Sequence, residues 1–275
     1  MFNTFILPII IFAVIGVIAG ILLTVASKVF EVKVDERIDN ISEALPQANC
    51  GACGFAGCGD YANAIVNKGA AANLCKPGGM PVAEKIAEIM GTKAEAVIPE
   101  VAVLHCSGNC NVTTKKFDFE GIQSCAAAKR FYSGNGLCSY GCIGLGDCVN
   151  VCDENGISIK DGIAVINKSK CVACGKCVKT CPNGLISIRP VTKHIDVKCS
   201  SRDNGKITKQ SCKNGCIGCK ICEKKCLNDA IHVVDFHAVI DYSKCTSCGM
   251  CYDACPIGTP GENSDNRSKL LLWGA

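Results

Sequence analysis

Residues 171–182 read CVACGKCVKTCP, and residues 245–256 read CTSCGMCYDACP. Both stretches have the spacing C-x2-C-x2-C-x3-C-P, which is typical of bacterial ferredoxins. In that pattern three closely spaced thiolates hold one [4Fe-4S] cubane, and the fourth thiolate reaches a neighbouring cubane. Zinc also binds CxxC pairs, but a zinc module needs two separate CxxC knuckles at one site. The two stretches therefore predict ferredoxin-like units that bind iron–sulfur clusters.

Each of these stretches is preceded by a partner motif. Residues 216–226 repeat C-x2-C-x2-C-x3-C, whereas the four cysteines within 138–152 are spaced x3, x5, x3. Sliding the chain by 74 residues aligns the two halves and places Leu145 at the position of Cys219. The chain thus contains a tandem duplication of a two-cluster ferredoxin unit. The first unit lacks one standard ligand, for which Cys138 is the expected replacement, and its counterpart Cys212 is left spare.

The ferredoxin pattern also predicts how the thiolates are shared, because the last cysteine of each motif serves the other cluster of its unit. Stretches of β-branched residues around a polar turn at 156–166 and 230–240 predict hairpins, so each unit is expected to be a small α+β sandwich. The predicted ligand sets are Cys138, Cys142, Cys148 with Cys181; Cys171, Cys174, Cys177 with Cys152; Cys216, Cys219, Cys222 with Cys255; and Cys245, Cys248, Cys251 with Cys226.

A different motif opens the soluble part of the chain. Residues 45–77 read LPQANCGACGFAGCGDYANAIVNKGAAANLCKP, and their cysteines are spaced x2, x4, x16. Glycines adjoin the first three cysteines, where the backbone must approach a cluster. The long gap predicts a helix over 60–67, and proline and glycine positions predict another over 81–90. We expect a fifth cluster, with zinc as the alternative on spacing alone, held by Cys50, Cys53, Cys58 and Cys75.

Five cysteines remain unassigned. Two of them, Cys125 and Cys199, precede Cys138 and Cys212 by the same 13 residues, so they occupy equivalent points of the two repeats. This equivalence suggests a sixth cubane that bridges the ferredoxin units, with free buried thiols as the alternative. The expected ligands are Cys106, Cys110, Cys125 and Cys199, with Cys212 as the spare or alternate residue.

The composition agrees with folding around clusters. The 275 residues include 25 cysteines but only nine Phe, five Tyr and one Trp, and domains so poor in large apolar side chains usually need disulfides or metals. A net charge of +4 is too small to favour nucleic acid as a partner. The sequence has no glycine-rich dinucleotide fingerprint, nucleophile elbow or paired carboxylates, so we expect no catalytic residues and no flavin or NAD bound by this chain.

The N-terminus contains an uncharged apolar stretch at residues 5–26. As a helix these residues would extend about 33 Å, enough to cross a bilayer core of about 30 Å. A signal peptide is disfavoured because the basic n-region and an A-x-A cleavage site are both missing. Lys28, Lys33 and Arg37 follow the stretch, which predicts a single-pass protein of the cell (inner) membrane with cytoplasmic soluble domains. A reducing cytoplasm favours metal thiolates over disulfides.

These features predict an α+β protein with one N-terminal transmembrane helix, a small helical [4Fe-4S] module and two tandem bacterial 2[4Fe-4S] ferredoxin-like units. The predicted divisions are a transmembrane helix at 1–27, an amphipathic linker at 28–45, the N-terminal [4Fe-4S] module at 46–92, a cysteine-bearing connecting segment at 93–130, the first ferredoxin-like unit at 131–192, the second at 193–262 and a C-terminal tail at 263–275.

This order of features resembles the B subunit of the Rnf complex, a membrane ferredoxin:NAD+ oxidoreductase, in its longer clostridia-like form. The resemblance covers nearly the whole chain, and the module at 46–92 is also similar to one found in corrinoid iron–sulfur proteins. The resemblance to the Rnf B subunit implies an electron-relay subunit that accepts electrons from soluble reduced ferredoxin on the cytoplasmic face. Electrons would pass through its clusters to flavin-bearing and NAD-binding partner subunits, and the complex would export Na+ or H+. The alternative is an iron–sulfur subunit of another membrane oxidoreductase, of the hydrogenase or formate dehydrogenase type.

Overall fold

The computed structural model describes residues 2–29, 35–131, 133–257 and 271–273. Within 2–29 it describes side chains only for residues 10–26, and within 271–273 it describes the backbone alone. Lys33 and most of the predicted C-terminal tail lie outside the described residues. The helices are α1 Phe2–Val29, α2 Glu36–Ala44, α3 Cys58–Lys68, α4 Gly79–Met90, α5 Cys125–Arg130, α6 Asp147–Asn150, α7 Lys176–Thr180, α8 Gly205–Ser211, α9 Ile221–Lys225 and α10 Met250–Asp253. The strands are β1 Glu100–Leu104, β2 Ile157–Lys160, β3 Ile163–Ile166, β4 Ile186–Pro190, β5 Ile195–Val197, β6 Ile231–Val234, β7 His237–Ile240 and β8 Leu271–Trp273.

Helix α1 contains the apolar stretch that the sequence predicts to span a membrane. Large apolar side chains along it, including Phe12 and Leu23, are exposed. Across the side chains that the structure describes, no helix is both long enough and apolar enough to cross a membrane.

Helices α2, α3 and α4 form the N-terminal module around a small apolar core. Ile41, Tyr61 and Ile86 are fully buried there, one from each helix. Gly69 and Gly91 end α3 and α4 in the left-handed conformation, which glycine adopts without steric cost. The helices predicted over 60–67 and 81–90 are therefore both present, and each begins two residues earlier than predicted.

The first ferredoxin-like unit contains the predicted hairpin. Strands β2 and β3 pair antiparallel, with Ile157 opposite Ile166. A second two-stranded sheet joins β1 to β4, with Glu100 opposite Pro190. Strand β1 belongs to the segment predicted to be a connection at 93–130, and four of its five residues are buried. That segment thus supplies part of the core of the first unit.

The second unit repeats this arrangement. Strands β6 and β7 form the other predicted hairpin, with Ile231 opposite Ile240. Strand β5 pairs with β8, so Ile195 lies opposite Trp273, a residue within the predicted tail. Each unit therefore has one local hairpin and one pair of strands that are distant in sequence.

Glycines allow each hairpin to approach its cysteine loop. A methyl group at Gly144 would meet the carbonyl oxygen of Gly162, and one at Gly218 would lie 2.9 Å from the carbonyl oxygen of Phe236. The two contacts are related by the 74-residue repeat, and both glycines have positive φ, at 78° and 65°. Any larger residue would push the hairpin away from the cysteines.

A buried ion pair joins the two units. Arg189 at the end of the first unit donates to both carboxylate oxygens of Asp196, at 2.5 and 2.8 Å, and Tyr242 donates to the same carboxylate at 2.9 Å. Burial alone would raise the pKa of Asp196, but the hydrogen bonds and positive charge of Arg189 outweigh it and lower that pKa. Breaking such a pair leaves an uncompensated buried charge.

Replacing Asp196 with Asn should lower the stability of the cluster-loaded protein by about 3–5 kcal/mol, because Arg189 loses its counterion in a buried site. Thermal unfolding followed by circular dichroism under anaerobic conditions would measure this loss. Asp118→Asn is the matched control, since Asp118 forms an exposed ion pair with Lys115. An equal loss of stability in the two variants would show that burial of the Arg189–Asp196 pair does not contribute to the stability of the protein.

Candidate iron–sulfur sites

The N-terminal module brings Cys50, Cys53, Cys58 and Cys75 together. Burial raises the pKa of the Cys75 thiol, and repulsion from the other three sulfurs raises it further, so all four lie close enough to interact. Asn49 accepts a hydrogen bond from the backbone N–H of Cys58 at 2.8 Å, which fixes the start of α3. The grouping agrees with the expected ligand set.

Buried Tyr61 holds the loop that returns to this site. Its hydroxyl donates to the carbonyl of Ala71 at 2.6 Å and accepts from the backbone N–H of Leu74 at 3.1 Å. Burial raises the pKa of Tyr61 to about 12, so the hydroxyl keeps its proton and its donor role. A methyl group at Gly78 would lie 2.7 Å from the side chain of Val82 and 3.0 Å from the Cys75 sulfur, so this position has no room for a larger residue.

In the first ferredoxin-like unit, one predicted set lines a cavity of about 140 Å³. The backbone N–H groups of Gly156 and Ala102 donate to the sulfurs of Cys152 and Cys171, at 3.3 and 3.4 Å. Pro46, Ala48 and Pro77 of the N-terminal module close the other wall, so the module lies directly against this site. The four cysteines of the cavity are Cys152, Cys171, Cys174 and Cys177.

Both predicted sets of the second unit also surround cavities, each of about 20 Å³. The sulfur of Cys226 accepts from Ala230 N–H at 3.3 Å, and that of Cys245 accepts from Ser247 N–H at 3.4 Å. The first cavity is lined by Cys216, Cys219, Cys222 and Cys255, and the second by Cys226, Cys245, Cys248 and Cys251.

The remaining site of the first unit differs from the expectation. Cys142, Cys148 and Cys181 line a cavity of about 20 Å³ as predicted, but the fourth cysteine is Cys125 and not Cys138. Helix α5 begins at Cys125 and directs that thiol beside Cys148. Cys138 lies in a different cavity, so its assignment to this set does not fit the structure.

Asp147 anchors Cys125, a role that the sequence analysis did not assign to it. Its carboxylate accepts from the hydroxyl of Ser124 at 3.0 Å and from the backbone N–H groups of Cys125 and Ala126, both at 2.9 Å. Asp147 directly precedes Cys148, so one carboxylate ties together two cysteines that are 23 positions apart. The only sequence signal for the position of Cys125 is Ser124, a favourable N-cap residue that begins a short helix.

The chemistry of these donors fits iron–sulfur clusters. Burial raises the thiol pKa of Cys148 and Cys222 to about 12, and neighbouring sulfurs add to the shift. Four such thiols ionise together only around a positive core, which a cubane supplies. The sulfurs face cavities lined by backbone N–H donors, as iron–sulfur ligands do. Among the described residues, no group of three or more His, Cys, Asp or Glu is placed to hold a single metal ion.

Two titratable residues beside the cysteines, His105 and Lys176, have structural partners. His105 donates from Nδ1 to the carbonyl of Val197 at 2.8 Å, and its Nε2 lies 2.6 Å from the hydroxyl of Ser187. Lys176 pairs with Asp153 at 2.5 Å. These contacts account for the histidine beside Cys106 and for the lysine beside Cys177.

The five previously unassigned cysteines divide among three environments. Cys125 completes the first-unit site described above, and Cys110 is exposed. The other three line a cavity together with Cys138. This cavity, of about 40 Å³, is lined by Cys106, Cys138, Cys199 and Cys212.

Comparisons with known proteins agree with this arrangement. Residues 45–77 match a family described as putative Fe-S cluster, and residues 138–185 and 215–259 each match a 4Fe-4S dicluster domain. The B subunit of the ion-translocating oxidoreductase complex of Methanosarcina acetivorans is 42% identical over 243 residues, which cover 88% of this chain and 92% of that protein. This chain belongs to the family of B subunits of ion-translocating oxidoreductase complexes.

Two further relatives of the same family extend the match. The B subunit of the proton-translocating ferredoxin:NAD(+) oxidoreductase complex of Clostridium ljungdahlii is 39% identical over 93% of this chain and 92% of its own. The Na(+)-translocating counterpart of Acetobacterium woodii is 41% identical over 94% of this chain and 78% of its own. Both matches include the second ferredoxin-like unit.

Removing the Asp147 carboxylate should loosen the Cys125 site, because each hydrogen bond to a charged group contributes about 1.5–3 kcal/mol. Asp147→Ala is expected to speed iron loss to a chelator several-fold, with the loss confined to one cluster. The course of iron release can be followed by visible absorption and Mössbauer spectroscopy.

Asp153→Ala is the matched control, because Asp153 also adjoins a cysteine but only forms a partly exposed pair with Lys176. Equal rates of iron loss from the two variants would contradict the anchoring role of Asp147.

Proposed function

We propose that this chain is the electron-relay subunit of a membrane ferredoxin:NAD+ oxidoreductase complex. It accepts electrons from reduced soluble ferredoxin and passes them through [4Fe-4S] clusters to partner subunits that bind flavin and NAD. The complex couples this electron flow to translocation of Na+ or H+. The family membership supports this function, since relatives over most of the chain are named as B subunits of such complexes.

The proposed ligands of five clusters follow the cysteine sets described above. Each cubane takes four thiolates, so these clusters use 20 of the 25 cysteines. The proposed sets are Cys50, Cys53, Cys58, Cys75; Cys152, Cys171, Cys174, Cys177; Cys125, Cys142, Cys148, Cys181; Cys216, Cys219, Cys222, Cys255; and Cys226, Cys245, Cys248, Cys251.

The observation that carries this proposal is the close succession of cysteine-lined cavities. Within each unit, single-turn helices connect the two sites: Cys148 lies in α6 and serves one site, while Cys152 follows α6 and serves the other. Helix α9 relates Cys222 and Cys226 in the same way. Neighbouring clusters are therefore held one short helix apart, which suits electron transfer between them.

Bound in these cysteine sets, [4Fe-4S] clusters would supply one-electron redox chemistry, taking electrons from reduced ferredoxin with no transfer of atoms. The cysteines of this chain would hold the clusters, while the apolar walls of the sites exclude water and backbone N–H groups donate to the sulfurs. Such hydrogen bonds, together with burial, set the reduction potentials of iron–sulfur clusters.

Helix α1 is the proposed membrane anchor. It contains the 22-residue uncharged stretch at 5–26, long enough as a helix to cross a bilayer core of about 30 Å. Lys28 and Arg37 follow the stretch and favour a cytoplasmic location for the cluster-bearing part. The anchor would place the N-terminal module nearest the membrane-bound partner subunits.

Anaerobic titration of the loaded full-length chain with reduced ferredoxin tests the proposed donor. The visible absorption of the clusters should fall as electrons arrive, whereas NADH alone should leave it unchanged because this chain is not expected to bind NAD. Protein freed of iron by chelation is the control for absorption by ferredoxin itself. Reduction by NADH, or by hydrogen or formate, in place of ferredoxin would contradict the proposed function.

A further inference from the structure

The cavity lined by Cys106, Cys138, Cys199 and Cys212 resembles the ferredoxin-type sites although these cysteines follow no standard spacing. At about 40 Å³ it is larger than the cavities of about 20 Å³ at three of the proposed cluster sites. A single buried water needs only about 10–15 Å³. The four sulfurs thus surround a space and do not simply pack against one another.

Each of the four sulfurs accepts a hydrogen bond from the backbone N–H two residues after its own cysteine. The N–H groups of Gly108 and Ser201, each two residues after a cysteine, donate to the sulfurs of Cys106 and Cys199 at 3.4 and 3.5 Å. Cys138 and Cys212 receive equivalent bonds from the residues two positions later, Tyr140 and Asn214. Ser247 makes the same contact to Cys245 at a ferredoxin-type site. Such donors stabilise thiolates.

A glycine keeps one side of this cavity open. A methyl group at Gly108 would lie 3.5 Å from the sulfur of Cys106 and 3.6 Å from that of Cys212. It would therefore occupy the space between two of the four sulfurs. Lys198 lines the cavity as well, and the ammonium of its half-buried side chain donates to the carbonyl of Leu104 at 2.9 Å.

The cavity lies between the two ferredoxin-like units. Cys106 packs against the core of the first unit and Cys199 against that of the second. The backbone N–H of Cys142 donates to the sulfur of Cys106 at 3.4 Å, and that of Cys216 donates to the sulfur of Cys199. Cys142 and Cys216 are repeat-equivalent ligands of one cluster in each unit. One hydrogen bond thus connects each neighbouring cluster to this site.

The repeat explains which cysteines are free for this role. In the second unit, Cys219 completes its own site, so Cys199 and Cys212 are available. In the first unit, Leu145 replaces that ligand and Cys125 takes its place. Cys138 then remains available, and Cys106 supplies the fourth thiol.

We propose that Cys106, Cys138, Cys199 and Cys212 hold a sixth [4Fe-4S] cluster that connects the two ferredoxin-like units. On loading, the four thiols lose their protons and a cubane core binds, which leaves a net charge of about −2 beside Lys198. This set replaces the one expected from the sequence, which included Cys110 and Cys125. The cluster itself does not depend on the electron donor, and only its use as a connection rests on the proposed function.

The fully loaded wild-type chain provides the first test. Six cubanes give about 24 irons per chain and five give about 20, because each cubane contains four. Alkylation of the loaded protein under anaerobic conditions, followed by mass spectrometry, should label one cysteine only, Cys110. About 20 irons in protein whose other five clusters are intact by Mössbauer spectroscopy would overturn the proposal, as would labelling of Cys106 or Cys212 in that protein.

Cys106→Ser and Cys212→Ser provide the second test, with Cys110→Ser as the matched control. Each ligand variant should lose up to four irons or show a three-iron cluster signal when oxidised, while the signals of the other five clusters persist. Cys110→Ser should retain about 24 irons. Iron content unchanged in both ligand variants would overturn the proposal. A failure of ferredoxin to reduce wild-type protein that holds six clusters would instead count against the proposed donor alone.

Discussion

The fold depends on the repulsion among buried sulfurs and on what relieves it. Cys148, Cys177 and Cys222 are nearly buried, and their thiol pKa values rise to about 11 or 12 because the charged form is poorly solvated and faces other sulfurs. An iron–sulfur core removes this cost, since its positive charge binds all four thiolates at once. The apolar core of each unit includes these cysteines beside buried aliphatic side chains, so bound iron–sulfur clusters would form part of that core.

The two ferredoxin-like units differ in which cysteines surround their corresponding sites. Leu145 stands where the second unit has Cys219, and Cys125, which lies outside the motif on helix α5, lines that cavity of the first unit. The carboxylate of Asp147 fixes that helix at the edge of the cavity. Cys138 instead lines the cavity between the units together with Cys212. The position at which the two repeats differ is thus matched by a different use of Cys125 and Cys138 in the first unit.

The features that could be predicted from the sequence are those that depend on residues close together along the chain. The hairpins at 156–166 and 230–240 form where predicted, because each depends on a few consecutive residues. The cysteines of each C-x2-C-x2-C motif line a common cavity for the same reason. Cys125 was misplaced because its position depends on Asp147, 22 residues away, and no local pattern encodes that contact. Strands β1 and β8 were missed as parts of the units for the same reason, since their partners lie far along the chain. Cys110 fits a C-x3-C spacing but faces solvent.

The order of the cysteine-lined sites defines a path for the proposed relay. The N-terminal module lies against the Cys171 site, which shares α6 and α7 with the Cys142 site. The proposed connecting cluster lies between the two units, and beyond it come the Cys216 and Cys245 sites. In the proposed function helix α1 anchors the N-terminal module at the membrane, whereas Cys219 and Cys248 of the second unit are exposed. In the proposed relay a soluble donor would meet the chain at this exposed part of the second unit, and electrons would then move through the series of clusters towards the module.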